Sequence, residues 1–353
     1  MIITRTPFRI TLGGGGTDLP SYYSQYGGFI LSVGIDKYMY ICLNTPLLDD
    51  CIRVRYSQNE ICHHPEEVQH TLAREALKAL SISRGIEIVS VADIPAGTGL
   101  GSSSCYLVGL LNAMHTYVGD PVSREALAIE ACRIELEVLK KPIGKQDQYM
   151  AAFGGLTTLD IARDGTVHGR RLKVDPEILE ALESNILLFY TGLSRDALKI
   201  LSTQSSAAAR NEARVVESLH EIKEIGLAIQ DAIVRGDLHQ VGELFDLHWQ
   251  SKKRLSNDIS STQVDAWYEL AKANGAAGGK ISGAGGGGFL MLYCDGDRRR
   301  LRATMGEAGL VELRFRFDLE GSKVLVNWIS SDKSWQQVGG RKTINAFSAP
   351  GTV

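Results

Sequence analysis

The segment 95–104 carries the clearest chemical signal in the sequence. It reads Pro-Ala-Gly-Thr-Gly-Leu-Gly-Ser-Ser-Ser, between a predicted strand and a predicted helix. The first N–H groups of a helix have no partner inside the helix, so they can bind an anion, and glycines let a ligand approach the backbone. The serine hydroxyls can add phosphate contacts or a magnesium ligand. We therefore predict an anion site formed by Gly97, Gly99, Leu100, Gly101, Ser102, Ser103 and Ser104.

Other kinds of site could explain the same segment. A simple capped helix after a tight turn is one alternative, because serine is a good helix N-cap. The segment lacks the lysine of a Walker A loop and lies well inside the chain, outside any opening βαβ unit. Both a P-loop and a Rossmann site are therefore disfavoured. A dinucleotide-binding oxidoreductase, suggested by the glycine content alone, stays open as an alternative and predicts NAD binding.

Two further glycine-rich segments accompany the first. Residues 7–20 end a predicted strand in four glycines, and Thr17 and Asp18 follow. Such a loop could present the Asp18 carboxylate to a sugar hydroxyl while the glycines leave room for the ligand. Residues 279–289 also hold four consecutive glycines. Because ordering glycines on folding costs backbone entropy, we expect them to have a structural role, such as packing against the segment 95–104. A mobile turn and a flexible hairpin are the respective alternatives.

The elements that must position these segments form an α+β mixture. Strand-like stretches dominate the first 60 residues, helical periodicity dominates 194–274, and strands return from residue 281, which is not strict βαβ alternation. We predict two domains, residues 1–175 and 176–330. A polar, aperiodic tail, 331–353, follows and is typical of a disordered terminus.

Composition narrows the class of protein. The 353 residues carry a net charge of −3, which gives no general attraction to nucleic acid or to an anionic membrane. There is no apolar run of about 20 residues and no export signal at the N-terminus. The six cysteines form no C-x-x-C pair, which fits a reducing compartment. We expect a cytoplasmic protein that binds small molecules, without nucleic-acid or membrane partners.

Taken together, the three glycine segments resemble the motifs of the GHMP kinases, the superfamily of galactokinase, homoserine kinase, mevalonate kinase and phosphomevalonate kinase. The middle motif, P-x-x-x-G-L-G-S-S, is matched from Pro95 to Ser103, and the resemblance extends over residues 1–330. One departure is Ser104, where many relatives have alanine. The resemblance implies an α+β fold of two domains with an active-site cleft between them. It also implies an ATP-binding N-terminal domain and a requirement for ATP and Mg²⁺.

The resemblance assigns roles to single residues. The family's magnesium ligands fall on Ser103 and Glu135, its catalytic aspartate on Asp147, and a basic residue of its first motif on Arg9. Asp147 would accept or orient the proton of the substrate hydroxyl, and Arg9 would stabilise the transferred phosphoryl group or the Asp147 carboxylate. From the residues alone, a solvated helix face explains Glu135, and a carboxylate at a helix N-terminus explains Asp147.

Within the family, the first motif and the segments 144–149 and 188–192 look most like those of kinases for D-glycero-D-manno-heptose 7-phosphate and for fucose. We predict phosphorylation of the heptose 7-phosphate at its anomeric hydroxyl. The predicted substrate-binding residues are Thr17, Asp18, Gly283, Gly285, Arg195 and Lys145. Arg195, with Lys199 one helical turn beyond it, and Lys145 are the candidates for the distal phosphate.

Two alternatives remain for the function within this fold. A kinase for L-fucose or another hexose would need no cationic pocket for a distal phosphate. A catalytically silent sugar sensor would bind its ligand without consuming ATP. The sequence leaves the oligomeric state open, and a homodimer is compatible with it.

Overall fold

A computed structural model describes residues 1–193 and 197–328 of the chain. The strands are β1 (Ile2–Gly13), β2 (Gly28–Asn44), β3 (Ile52–Arg55), β4 (Asn59–Cys62), β5 (Ile86–Ala92), β6 (Leu156–Ile161), β7 (Val167–Arg171), β8 (Ile186–Tyr190), β9 (Gly278–Ile281), β10 (Phe289–Tyr293), β11 (Val311–Leu313), β12 (Phe317–Asp318) and β13 (Lys323–Asn327). The helices are α1 (Pro20–Tyr26), α2 (Thr71–Ala79), α3 (Ser102–Val118), α4 (Arg124–Cys132), α5 (Gln146–Phe153), α6 (Pro176–Asn185), α7 (Ala197–Ala209), α8 (Ala213–Arg235), α9 (Leu238–Lys253), α10 (Thr262–Ala273) and α11 (Arg298–Glu307). A 3₁₀ turn (Pro65–Glu67) and a π-helical turn (Arg133–Val138) are also present. Arg195 and the tail 331–353 lie outside the described residues.

The long strand β2 organises a nine-stranded sheet. β1 runs antiparallel along almost all of β2, from Ile2 opposite Leu43 to Gly13 opposite Leu31. The other edge of β2 is shared, because β6 pairs with its first part and β5 with its second. β1 is buried on both faces from residue 6 to residue 13, since α3, α5 and α8 all pack against it. This strand therefore lies in the interior, where it can position a side chain firmly.

The second sheet is smaller, and its order is β11-β8-β10-β9, with every pair antiparallel. A separate apolar cluster fills the space around it and includes Trp249, Tyr268 and Phe189. The chain then returns to the first sheet: β12 pairs with β2, and β13 pairs with β1. The predicted division at residue 175 thus comes shortly before the second sheet begins. The division fails at the end of the chain, because β13 lies within the predicted second domain but pairs with β1 of the first sheet, more than 300 residues away.

Local predictions around the first glycine segment agree with the structure. β5 leads into the segment 95–104 and α3 leaves it, as predicted. Ser123 caps α4, with its hydroxyl accepting the Ala126 N–H at 3.1 Å. The helical segment that Ser123 begins is divided, because the α-helix ends at Cys132 and a π-helical turn follows. Within residues 1–193 and 197–328, no helix is both long and apolar enough to cross a membrane.

The end of β1 crosses α8 at a backbone contact. A Cβ atom on Gly13 would lie 2.7 Å from the Cα of Gly226, and a Cβ on Gly226 would lie 2.9 Å from the Gly14 nitrogen. Neither distance leaves room for a side chain. The crossing therefore explains two glycines by packing, and it places the four-glycine loop against a helix that follows β8 in the chain.

We expect Gly226→Ala to destabilise the protein by about 1–3 kcal/mol, because the new methyl group would overpack this crossing. Alanine by itself favours a helix by up to about 1 kcal/mol over glycine. The matched control is Gly306→Ala in α11, where a Cβ would meet nothing within 4 Å. Urea unfolding should show a loss for the first variant and no loss for the second. Equal stability of both variants would contradict the packing argument.

Candidate active site

Arg9 lies at the centre of the site, on β1, with its side chain only 5% exposed. Its Nη1 donates to the Gly99 carbonyl at 2.7 Å, and its backbone N–H donates to the Leu100 carbonyl at 3.3 Å. Its Nε and Nη2 lie 2.8 and 2.7 Å from Oδ1 of Asp147. One buried guanidinium therefore links β1, the loop before α3 and the first turn of α5.

Asp147 presents one engaged and one open oxygen. Besides Arg9, Oδ1 accepts the Gln146 side-chain amide at 3.3 Å. Within the described part of the chain, no hydrogen bond to Oδ2 is found, and this oxygen lies 3.4 Å from where a Cβ on Gly101 would be. The side chain is 30% exposed. The open oxygen thus lies beside the N-terminus of α3, where a reacting group can reach it.

The loop before α3 has the backbone geometry of an anion site. Gly97, Gly99 and Gly101 have φ values of +79°, +82° and +87°, a region that favours glycine. Gly101 is the N-cap of α3, and no side chain caps the helix. The simple serine-capped helix is therefore not what forms. The side chain of Leu100 is buried, so this residue presents its backbone only.

The third glycine segment packs directly on this loop. A Cβ on Gly99 would lie 2.7 Å from the Ser282 carbonyl oxygen, and a Cβ on Gly283 would lie 2.8 Å from the Cα of Gly99. A Cβ on Gly285 would lie 3.0 Å from the Ile259 side chain. The predicted packing is present, and the flexible-hairpin alternative is wrong. Gly283 packs against the loop and Gly285 against Ile259, so close packing accounts for both glycines, and their contact with substrate stays a prediction.

Glu135 is fully buried, with 0% of the residue exposed. The hydrogen bonds to its carboxylate come from Ser103 Oγ at 2.7 Å, Ser104 Oγ at 2.7 Å, Gln148 Nε2 at 2.7 Å and Lys141 Nζ at 2.9 Å. A solvated helix face, the alternative for this residue, is therefore wrong. The π-helical turn directs the Glu135 side chain inward. In this turn the Leu139 N–H donates to the carbonyl of Ile134, five residues earlier, at 2.9 Å.

Ser103 and Glu135 together fit a magnesium ion chemically. Hydroxyl and carboxylate oxygens are hard ligands of the type that Mg²⁺ prefers. Ser103 Oγ and Glu135 Oε1 lie 2.7 Å apart. Neighbouring ligands of an octahedral magnesium ion, with bonds of 2.0–2.1 Å, are about 2.9 Å apart. The two oxygens are therefore already spaced as adjacent ligands.

Thr17 and Asp18 close the first glycine loop. The Thr17 hydroxyl is fully buried, lies 2.8 Å from the carbonyls of Gly14 and Phe29, and accepts the Phe29 N–H. It therefore anchors the loop, and the predicted contact of Thr17 with substrate is not supported. The Asp18 carboxylate accepts the N–H groups of Gln146 and Gly16.

Burial raises the pKa of Asp18, against the lowering effect of the Gln146 N–H. A carboxylate can accept about four hydrogen bonds, so the two N–H groups that donate to Asp18 leave room for a sugar hydroxyl. The sugar contact of Asp18 stays a prediction.

Lys145 contacts the turn between β6 and β7. Its Nζ donates to the Gly165 carbonyl at 2.5 Å and lies 5.2 Å from the centroid of the Tyr23 ring. In this arrangement it secures the turn between β6 and β7. Arg195, the other candidate for a distal phosphate, lies outside the described residues.

Comparison with known proteins agrees with this geometry. The chain matches the model of the GHMP kinases N terminal domain over residues 67–155 and that of the GHMP kinases C terminal domain over residues 229–309. It is 30% identical over 339 residues to D-glycero-alpha-D-manno-heptose 7-phosphate kinase of Campylobacter jejuni, covering 91% of this chain and 98% of that one. The chain is a GHMP kinase.

Other relatives of this GHMP kinase are more distant. It is 26% identical to the L-fucokinase/L-fucose-1-P guanylyltransferase of Bacteroides fragilis, over 84% of this chain and 35% of that one. Its fold matches the crystal structure of a D-glycero-D-manno-heptose 1-phosphate kinase from Bacteroides thetaiotaomicron with a TM-score of 0.76, at 23% identity, over 93% and 100% of the two chains. The predicted fold and the predicted kinase class are confirmed, and the oxidoreductase alternative is wrong.

Several side chains that contact the site residues of this GHMP kinase were not predicted from the sequence. Gln146 and Gln148 flank Asp147, and the first donates to the Thr11 hydroxyl at 2.5 Å while the second binds Glu135. Three consecutive polar residues at the start of an otherwise apolar helix were the available signal. Lys141 gave no such signal, since its position six residues after Glu135 matches no helical spacing.

Two buried lysines lie behind the glycine loops. Lys252 donates to the carbonyls of Ile281 and Gly283 at 2.9 and 2.6 Å, and Lys280 donates to that of Leu12 at 2.8 Å. Burial lowers the pKa of Lys252 to about 7, and the positive charge of Arg9 adds to the effect. Burial likewise holds the pKa of Lys280 well below its usual range. Both amino groups thus support the site by donating hydrogen bonds to backbone carbonyls.

Lys252 should make stability rise with pH. The unfolded chain holds the proton up to the ordinary pKa of 10.5 and the folded chain only to about 7, so the unfolded state binds more protons between these values. From pH 7 to pH 9.5, the wild type should therefore gain on the order of 3 kcal/mol relative to Lys252→Met. Urea unfolding at both pH values measures this difference. The variant loses two hydrogen bonds at every pH, so a constant difference would contradict the shifted pKa.

Proposed function

We propose that this GHMP kinase transfers the γ-phosphoryl group of ATP to the anomeric hydroxyl of D-glycero-D-manno-heptose 7-phosphate. The product would be the 1,7-bisphosphate, a precursor of nucleotide-activated heptose. The phosphoryl-transfer chemistry rests on one observation: the open oxygen of Asp147 beside the N-terminus of α3. The choice of substrate rests on similarity over nearly the whole length to a heptose 7-phosphate kinase.

Asp147 would handle the proton of the attacking hydroxyl. Arg9 donates its Nε–H to Oδ1, and its Nη2 forms an ion pair with the same oxygen, which restricts rotation of the carboxylate and would leave Oδ2 facing the substrate. The sugar hydroxyl would donate to Oδ2 as its oxygen attacks the phosphorus, and the proton would pass to this carboxylate. The fixed guanidinium also supplies positive charge close to the transferred group.

The loop 97–104 would hold the nucleotide phosphates. N–H groups at the start of α3 and the helix dipole favour anions there. The left-handed glycines let phosphate oxygens approach the backbone. Magnesium held by Ser103 and Glu135 would neutralise phosphate charge. The packing of Gly283 on Gly99 keeps the loop in place from behind.

The distal phosphate of the sugar needs cationic partners. Lys145 is two residues from Asp147, and in the structure its ammonium binds the Gly165 carbonyl. We propose that it exchanges this neutral carbonyl for the charged phosphate when substrate binds, together with Arg195. The ammonium already makes a hydrogen bond to the carbonyl, and a phosphate adds the attraction of an opposite charge, so the exchange is favourable.

A hexose 1-kinase is the alternative, supported by the similarity to the fucokinase. It would leave Lys145 on the Gly165 carbonyl during turnover. A silent sensor is disfavoured, because Ser103, Glu135 and Asp147 are present and hydrogen-bonded in one site. ATP consumption with candidate sugars separates enzyme from sensor.

Asp147→Asn should lower kcat by at least about 100-fold, because an amide cannot take up the hydroxyl proton. Binding of a non-hydrolysable ATP analogue should persist, since the loop 97–104 is unchanged. Steady-state kinetics and calorimetry measure the two effects. The role of Asp147 is refuted if turnover stays near that of the wild type.

A substrate panel tests the sugar. Heptose 7-phosphate should exceed free heptose, fucose and galactose in kcat/KM, and Arg195→Ala and Lys145→Ala should each remove about 1.5–3 kcal/mol of that preference, roughly 10- to 150-fold. Turnover of the free sugars should change little. Arg163→Ala, an exposed cation of the β6–β7 turn, is the control for Lys145. Preference for an unphosphorylated sugar would overturn the substrate proposal and leave the kinase assignment intact.

A further inference from the structure

Lys141 is bound to Glu135 twice. Its backbone N–H donates to the Glu135 carbonyl at 2.9 Å, and its ammonium nitrogen lies 2.9 Å from Glu135 Oε1. The same nitrogen lies 3.0 Å from Ser103 Oγ. One lysine ammonium therefore contacts both atoms that the proposed function assigns to magnesium.

The Glu135 carboxylate has no acceptor capacity left for a metal ion. A carboxylate offers about four acceptor sites. Among the described residues, four side chains donate to it: Ser103 and Lys141 to Oε1, and Ser104 and Gln148 to Oε2. A metal ion can reach this carboxylate only if one of these donors leaves.

Of the four donors, Lys141 is the one that can leave at least cost. Ser104 and Gln148 are 2% and 0% exposed, so they would lose a buried partner. The Lys141 side chain is 21% exposed, and its long stem can carry the ammonium to solvent. Its positive charge also repels an incoming cation, whereas the serine hydroxyl can remain as a ligand.

We propose that Lys141 is a built-in counter-cation of the metal site. Its ammonium holds Ser103 and Glu135 together in the metal-free enzyme, and an incoming divalent cation displaces it. A buried carboxylate without a positive partner is costly, so this lysine keeps the site formed before the metal arrives. The same contact lowers the affinity for metal, because each binding event must break it. The inference rests on the magnesium ligands assigned in the proposed function.

Binding of Mn²⁺ without nucleotide tests the competition. Lys141→Met should bind Mn²⁺ about tenfold more tightly than the wild type, since no charged hydrogen bond has to be broken. Lys140→Met is the matched control, because this neighbouring lysine is exposed. Its affinity should equal that of the wild type. Electron paramagnetic resonance of free Mn²⁺ gives the dissociation constants.

Stability and labelling provide readouts that do not depend on activity. Metal-free Lys141→Met should melt at a lower temperature than the wild type, and saturating Mn²⁺ should close the gap. If the variant does not fold, the wild-type protein can be used for the test. Mn²⁺ should raise the rate at which an amine-reactive reagent acylates its Lys141. The rate at Lys140, followed by mass spectrometry in the same sample, should stay constant.

Glu135→Gln distinguishes a failure of the counter-cation proposal from a failure of the magnesium-ligand assignment. If Glu135→Gln loses Mn²⁺ binding but Lys141→Met binds no more tightly than the wild type, the counter-cation is refuted and the ligand assignment stands. The same holds if Mn²⁺ leaves Lys141 labelling unchanged. If Glu135→Gln binds Mn²⁺ as the wild type does, the ligand assignment fails and the inference fails with it.

Discussion

The buried guanidinium of Arg9 is the constraint on which the site depends. A charge inside a protein costs several kcal/mol unless it is paired and hydrogen-bonded. Arg9 meets that requirement through the Gly99 carbonyl and the Asp147 carboxylate, which belong to two different segments. Neither segment can move far without leaving the charge unpaired. The loop that would bind phosphate and the residue that would handle the proton are therefore held in register by one side chain.

The first turn of α5 extends this arrangement to Thr11 and Glu135. Its three consecutive polar side chains, Gln146, Asp147 and Gln148, bind Thr11, Arg9 and Glu135 respectively. The carboxylates of Asp147 and Glu135 are thus fixed by the same helical turn. Such mutual support keeps polar groups in position before substrate binds, which lowers the reorganisation required during phosphoryl transfer.

Glycine and lysine support the site from the second sheet. Close contact between Gly283 and Gly99 removes the space in which the loop could move. Lys252 and Lys280 bind backbone carbonyls behind it, so their burial is compensated by hydrogen bonds without an opposing carboxylate. The interior behind the loop therefore holds two basic side chains, and their lowered pKa values reflect the cost of burying a charge there.

The sequence by itself determined what is local. The strand, loop and helix around 95–104 follow from neighbouring residues, and a matching motif of the family marks Ser103, Glu135 and Asp147 as the residues of interest. Only the tertiary structure decided how β13 completes the sheet, why Thr17 is an internal anchor, and that Lys141 contacts Ser103 and Glu135. These outcomes depend on pairings between distant segments and on the competition of several donors for one buried carboxylate. Residue spacing along the chain predicts neither the distant pairings nor this competition.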